Sequence, residues 1–298
     1  GWARVDARLD AAAAAARAVL PSSPAEAHYY LGATLGFRAR GLAAQKRFVR
    51  ALPSASASLK ELKLALAADP SLADARLGLG MYHYFAARMP PAAKPFAHLL
   101  VGERGDRELG LRELWSVADS TGAARMEARA VLSMILSKDD EADWARADAL
   151  LAELMRRYPR NPLYRLRRAY VAERRGRWAF AAALADPGRP WLSRLYPAIR
   201  ARARAQALYR AAEVALLRGQ SAKAAVFLGG LDDALLPPEL RGWALLRRGN
   251  LRDALGDRAG ALAAYARVRG PAAKLARAFR KTPFPGGPRG VAPFFTGY

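Results

Sequence analysis

Arg241–Val268 reads R-G-W-A-L-L-R-R-G-N-L-R-D-A-L-G-D-R-A-G-A-L-A-A-Y-A-R-V. Alanine, leucine and arginine are strong helix formers, and they fill both halves of the stretch. Gly256 marks a turn between the halves, so the stretch predicts two short helices in a hairpin. The same punctuation recurs upstream. Gly105, Gly176 and Gly219 mark further turns, while Asp69-Pro70, Tyr158-Pro159, Asn161-Pro162 and Pro237-Pro238 start new helix pairs. Gly176 and Gly219 are 43 residues apart and Gly219 and Gly256 are 37 apart. Such spacing suits a helix-turn-helix repeat of about 34 residues lengthened in its loops.

Composition agrees with an all-α chain. Of 298 residues, 52% are hydrophobic, much of that alanine, and β-branched residues are sparse. Disorder is thereby excluded for most of the chain. There is no cysteine, so structural disulfides and cysteine-based zinc sites are excluded. The formal net charge is +23 and unevenly placed: residues 1–150 carry 20 Lys+Arg and 17 Asp+Glu, residues 151–298 carry 29 and 9. An excess of that size in one half points to an anionic partner, whether an acidic protein, lipid headgroups or nucleic acid. The Ala/Arg/Gly excess, with only 8 lysines among the 49 basic residues, also fits the coding bias of a GC-rich bacterial genome. That bias does not explain the asymmetry.

Arg241–Val268 resembles the tetratricopeptide repeat. In that repeat a small residue of the first helix faces a small residue of the second, and an aromatic one turn later fills the gap. Gly249, Ala261 and Tyr265 match those positions, with Gly256 at the turn. Ala169, Gly176 and Ala181 hold the same offsets, as do Ala212, Gly219 and Ala224, and Gly32 holds the first-helix position of an earlier copy. Between Ala67 and Leu114 Gly80 takes that position, and Gly105 and Gly110 take the turn and second-helix positions. There the hairpin is split by a Pro-rich insertion, about residues 88–104. The helix Gly-x-Gly-x-Tyr-x-Tyr, the insertion, and Gly-Asp-Arg-x-x-Gly-Leu-x-x-Leu together are similar to a bacterial branch of these repeats. They are similar also to the eukaryotic inclusion-body clearance and tetratricopeptide-39 family, over roughly Ala25 to Pro162. The resemblance implies a helix-turn-helix solenoid coiled as a right-handed superhelix over residues 1–280. An irregular loop is expected near 186–197, and an extended Pro/Gly/aromatic tail over 281–298. It implies protein partners and offers no catalytic residues.

The search for chemistry agrees. His28, His83 and His98 lack a second histidine or a carboxylate at i+3 or i+4, so no metal pair is expected. Gly102-Glu103-Arg104-Gly105 lacks the Gly-Lys-Ser/Thr ending of a phosphate loop, and Gly78-Leu79-Gly80 lies within a helix rather than after a strand. Asp139-Asp140-Glu141-x-Asp143 caps a helix or holds a cation weakly. No catalytic, cofactor or metal residue is therefore assigned, and the chain is read as a non-enzymatic scaffold or assembly subunit.

Partner-binding candidates are Tyr164, Arg165 and Arg168 of one pair, Tyr209 and Arg210 of the next, and Arg247 and Arg248 of the last. Arginine suits carboxylates and phosphates through its two-pronged guanidinium. Which of them face a groove stays open. The insertion either folds back onto its hairpin or forms an apolar patch for a partner or membrane. In the tail, Phe284, Phe294, Phe295 and Tyr298 can dock in a groove. Two alternative functions are a peripheral subunit of a membrane complex and nucleic-acid binding by the basic half. No run reaches the ~20 apolar residues of a membrane span. The chain starts inside a helix, which leaves a removed signal or anchor open. A periplasmic or membrane-associated place is favoured over the cytoplasm.

Overall fold

A computed structural model describes residues 2–45, 47–89, 104–138 and 140–286. Among the described residues the chain forms fourteen α-helices and no strand. In order they are α1 (Trp2–Ala18), α2 (Pro24–Ala44), α3 (Phe48–Ala68), α4 (Ala75–Ala87), α5 (Arg107–Ala118), α6 (Arg125–Leu136) and α7 (Trp144–Arg157). There follow α8 (Pro162–Arg174), α9 (Trp178–Ala185), α10 (Pro197–Leu217), α11 (Ser221–Gly229), α12 (Pro238–Ala254), α13 (Arg258–Arg267) and α14 (Ala273–Lys281). The chain divides into two compact units, Gly1–Leu132 and Ser133–Tyr298, with the division inside α6.

In the first unit α1 packs on α2, α2 on α3, α3 on α4 and α4 on α5, and α2 also reaches α4. Its core is leucine and alanine, with Leu59, Leu62, Ala65, Ala75 and Leu79 buried together. In the second unit each helix from α7 to α14 packs on its successor, while α8 touches α10 and α10 touches α12. Hairpins thus stack by their first helices as well as by their neighbours.

The turns of α8/α9, α10/α11 and α12/α13 are one structure used three times. Gly176, Gly219 and Gly256 sit at φ +69°, +71° and +82°, where a Cβ would be strained. The next residue in each, Arg177, Gln220 or Asp257, donates its N–H to the carbonyl five residues back, at 2.8, 2.8 and 2.9 Å. This is the bonding of a glycine-ended helix. Arg47 makes the same bond to Leu42 at 3.0 Å between α2 and α3.

Close approach explains other small residues. A Cβ on Gly249 would stand 2.4 Å from Cε1 of the buried Tyr265 ring. One on Gly110 would stand 2.5 Å from the Tyr84 nitrogen, and one on Gly80 3.0 Å from the Gly110 carbonyl. Gly32 lies as close to Leu62, and Gly105 lies against the backbone of Ala86 and Ala87. Ala169, Ala181, Ala212, Ala224 and Ala261 are all fully buried.

Pro53 and the Ser/Ala stretch after it read as a turn in the sequence, yet they lie inside α3. Pro53 is near the start of that helix, where it removes a single ladder bond on a turn carrying the exposed Val49. The break falls earlier, with one helix ending at Ala44 and the next starting at Phe48. The loop after α9 is folded rather than open: Trp191, Leu192 and Leu195 are buried against Leu166, Ala203 and Ala207. Trp191 Nε1 donates to the Asp186 carbonyl at 3.0 Å, and Arg200 donates to the carbonyls of Ser193 and Leu195. Residues 90–103 of the insertion and 287–298 of the tail lie outside the described residues, and with them His98, Phe294, Phe295 and Tyr298.

Candidate functional site

Counted from the turn glycines of the second unit, one position is always arginine. Arg167, Arg210 and Arg247 each stand nine residues before Gly176, Gly219 and Gly256. All three are buried. Arg210 donates to Glu173 at 2.9 Å and also to Glu213. Arg247 donates Nε and Nη2 to Glu213 at 3.0 and 2.6 Å, and Nη1 to Asn250 at 3.0 Å. Tyr209 donates its hydroxyl to Glu213 at 2.9 Å. The chain continues from Asn250 to Tyr265 (3.0 Å), from Tyr265 to Asp253 (2.7 Å), and from the Phe284 backbone N–H to Asp253 (2.9 Å). Salt-linked carboxylates and guanidiniums therefore run through α8, α10 and α12 without reaching solvent.

The electrostatics follow from that burial. Desolvation opposes charge on Arg210, but Glu173 and Glu213 more than compensate and raise it. Arg247 is likewise held up by Glu213. Burial holds Arg167 down, to about 10. Burial also pushes the Glu173 carboxyl up, with Glu213 adding and Arg210 opposing. The Glu173 Oε1 atom is buried with no hydrogen-bond partner among the described residues.

Tyr209, Arg210 and Arg247 are thus interior, not groove-facing: two of them neutralise carboxylates of neighbouring hairpins and the third bonds Glu213. Arg248 caps the end of α11, donating to the carbonyls of Leu228 and Leu231 and to Asp233 at 3.1 Å. Phe284 is buried on Phe279, with ring centroids 5.4 Å apart.

Tyr164, Arg165 and Arg168 keep partial exposure on α8. Arg165 lies over the Trp191 ring, 5.3 Å from its centroid, and Arg168 over Phe180 at 4.9 Å. Arg168 also bonds Asp148 at 2.7 Å, a carboxylate shared with Arg175 and Arg177. The charges acting on Arg165 are cationic, although Arg168 is itself paired with Asp148 and Arg189 with Asp186 at 3.6 Å. Burial first, then the charges of Arg189, Arg168 and Arg194, hold its guanidinium below the usual arginine range. The local sequence explains why: residues 154–172 and 187–212 contain no Asp or Glu. At the start of α8 a hollow of about 570 Å³ is lined by Arg157, Tyr158, Arg160, Tyr196 and Ile199 among others. Arg160 lies over the Tyr196 ring at 5.6 Å, and the Tyr158 and Tyr164 rings are 6.0 Å apart.

Among the described residues, His28 and His83 find carboxylates on neighbouring helices rather than on their own. His28 meets Glu61 at 2.7 Å and His83 meets Glu113 at 2.6 Å, both through Nδ1. Asp143 caps α7 by accepting from Arg146 N–H at 3.1 Å. Among the described residues no three His, Asp or Glu side chains are grouped to hold a metal, and no helix is long and apolar enough to cross a membrane. Comparison with protein-family models, with curated proteins and with solved structures finds no match.

Sequence reasoning passed over Arg167, Glu173, Glu213 and Trp191. Counting back from the turn glycines would have found Arg167. The carboxylates hold different registers and leave no such trace.

Proposed function

We propose that the chain is a non-catalytic binding scaffold whose second unit holds an acidic segment of a protein partner on the open face of α8 and the loop after α9. The observation that carries this reading is Arg165. It is stacked on Trp191 among Arg168, Arg189 and Arg194; Arg168 is paired with Asp148 and Arg189 with Asp186, while no carboxylate pairs with Arg165 or Arg194 among the described residues. Like charges held together in a half-buried setting favour an anion strongly, and arginine with aromatic neighbours is the composition of interface hot spots. The neighbouring hollow lined by Tyr158, Arg160 and Tyr196 offers room for apolar side chains of the same segment. Stacked hairpins with one repeated turn support a tetratricopeptide-type solenoid as the frame, because such arrays present extended surfaces rather than deep active sites.

The test is a pull-down of partners under native conditions with the wild-type chain and with Arg165→Ala/Arg189→Ala/Arg194→Ala. Loss of specific protein partners from the variant supports the reading. Partners retained by the variant would sink it, and recovery of nucleic acid alone would move the assignment to nucleic-acid binding.

A further inference from the structure

The first unit holds a different kind of cavity. A cleft of about 260 Å³ opens between α2, α3, α4 and α6. Leu62 is packed against Gly32 and Gly78, where a Cβ would stand 2.7 and 2.4 Å from its side chain. Tyr29, Phe37, Met81, Tyr82 and Phe85 add aromatic and thioether surface.

Among the described residues three charged side chains line the cleft, and two are acidic: Asp74, Glu127 and Arg40. Arg40 lies over the Phe37 ring at 4.4 Å and donates to Glu127 at 3.1 Å, so one end already holds a cation against an aromatic ring and a carboxylate. Asp74 accepts from the N–H groups of Ala123 and Ala124 at 3.0 and 3.1 Å, and no cationic side chain pairs with it among the described residues. The Tyr29 hydroxyl makes no hydrogen bond among the described residues. Burial first, then the charges of Asp74, Tyr30 and Glu127, push it up to about 12. In a chain of net charge +23, this apolar cleft is lined by more acid than base.

Aromatic faces attract a cation, and carboxylates beside them select it over a neutral or anionic molecule of the same shape. We infer that this cleft binds a small organic cation with an apolar body, an aryl- or alkylammonium compound. Its charge lies toward Asp74 and the Tyr29 hydroxyl, and its body against Leu62, Met81 and Phe85. The size fits: an apolar cavity of roughly 150 Å³ holds benzene, so this one takes a ring with a small branched ammonium group. The site is built from other residues than the basic face of the second unit and does not depend on that reading.

The experiment is calorimetric titration of the full chain with benzyltrimethylammonium, benzyl alcohol and benzoate, which share a ring and differ in charge. The cation is expected to bind roughly tenfold more tightly than the alcohol, and benzoate not to bind. Asp74 also caps α6, so its removal risks unfolding. Glu127→Gln and Tyr82→Leu are the informative variants, each checked for an unchanged helical spectrum. Glu127→Gln is expected to weaken the cation severalfold and leave benzyl alcohol unchanged, whereas Tyr82→Leu is expected to weaken both. An N-acetyl-trimethyllysine amide is added as a fourth arm. If it binds more tightly than benzyltrimethylammonium, the cation comes from a protein side chain, and the free small molecule proposed here is overturned. Equal binding of the three ring compounds, preference for benzoate, or no cation binding by the folded chain would also overturn it.

Discussion

Replacing Glu213 by glutamine probes the ionic chain of the second unit most sharply. Glu213 is fully buried and accepts from Arg210, from Arg247 at 3.0 and 2.6 Å, and from Tyr209 at 2.9 Å. Glutamine keeps the shape but removes the charge and turns one acceptor into a donor facing guanidinium groups. Arg210 retains Glu173, at 2.9 Å, whose carboxyl no longer feels the Glu213 charge that helps hold it protonated. Arg247, itself fully buried, loses its carboxylate, and breaking a buried pair from one side costs about 3–5 kcal/mol. For a unit of this size that lowers Tm on the order of 10 °C. The companion variant replaces both partners, Glu213→Leu with Arg247→Met. Because no charge is then stranded, it costs much less than the sum of the single changes. The assay is urea and thermal unfolding followed by helical circular dichroism, on Glu213→Gln and on a double-mutant cycle of wild type, Glu213→Leu, Arg247→Met and the double variant. A Glu213→Gln chain within about 1 kcal/mol of wild type, or strictly additive single effects, would refute the ionic chain as described.

Other consequences are simpler to test. Gly249→Ala puts a methyl 2.4 Å from a Tyr265 ring that Asn250 and Asp253 hold in place, and is expected to cost about 1–3 kcal/mol in urea unfolding. Gly256→Ala meets nothing within 4 Å and is expected to cost about 1–2 kcal/mol from its φ of +82° alone. The raised Glu173 carboxyl keeps its proton in the folded chain above the ~4.3 of an unfolded glutamate. Its contribution is therefore complete below that value and is lost as pH rises through the folded one, so stability falls between about pH 5 and pH 8. Glu173→Gln should flatten that slope in thermal melts, and an unchanged slope would assign it to other groups. A cut after Lys281 removes the buried Phe284, whereas a cut after Gly286 leaves it, so the first is expected to give a lower Tm than the second.

Much of the fold was legible because the repeat uses glycine where nothing else fits. Gly176, Gly219 and Gly256 occupy a backbone region that disfavours a Cβ, and Gly80, Gly110 and Gly249 lie where helices touch. Such constraints leave a residue type at a spacing, which can be read from one sequence. The Pro53 turn was misread because proline marks a helix start as readily as an end. The site was less legible. In so arginine-rich a chain, Arg165 and Arg247 look alike. What separates them is Glu213, which is 34 residues from Arg247 and on another helix. Glu113 stands in the same relation to His83, 30 residues away. The cleft is built by four helices and has no local pattern.

The most direct measurement is anisotropy of a labelled acidic peptide, rich in Asp and Glu with a central leucine and tryptophan, titrated with the chain at several salt concentrations. If the face around Arg165 holds acidic partners, binding weakens by roughly tenfold between about 50 and 300 mM salt. Arg165→Ala/Arg189→Ala/Arg194→Ala then weakens it by a similar factor, while Arg4→Ala/Arg8→Ala/Arg17→Ala, which removes as much charge from the exposed side of α1, leaves it unchanged. Equal losses from both variants would mean net charge alone attracts the peptide, and with that result the binding face on α8 is contradicted.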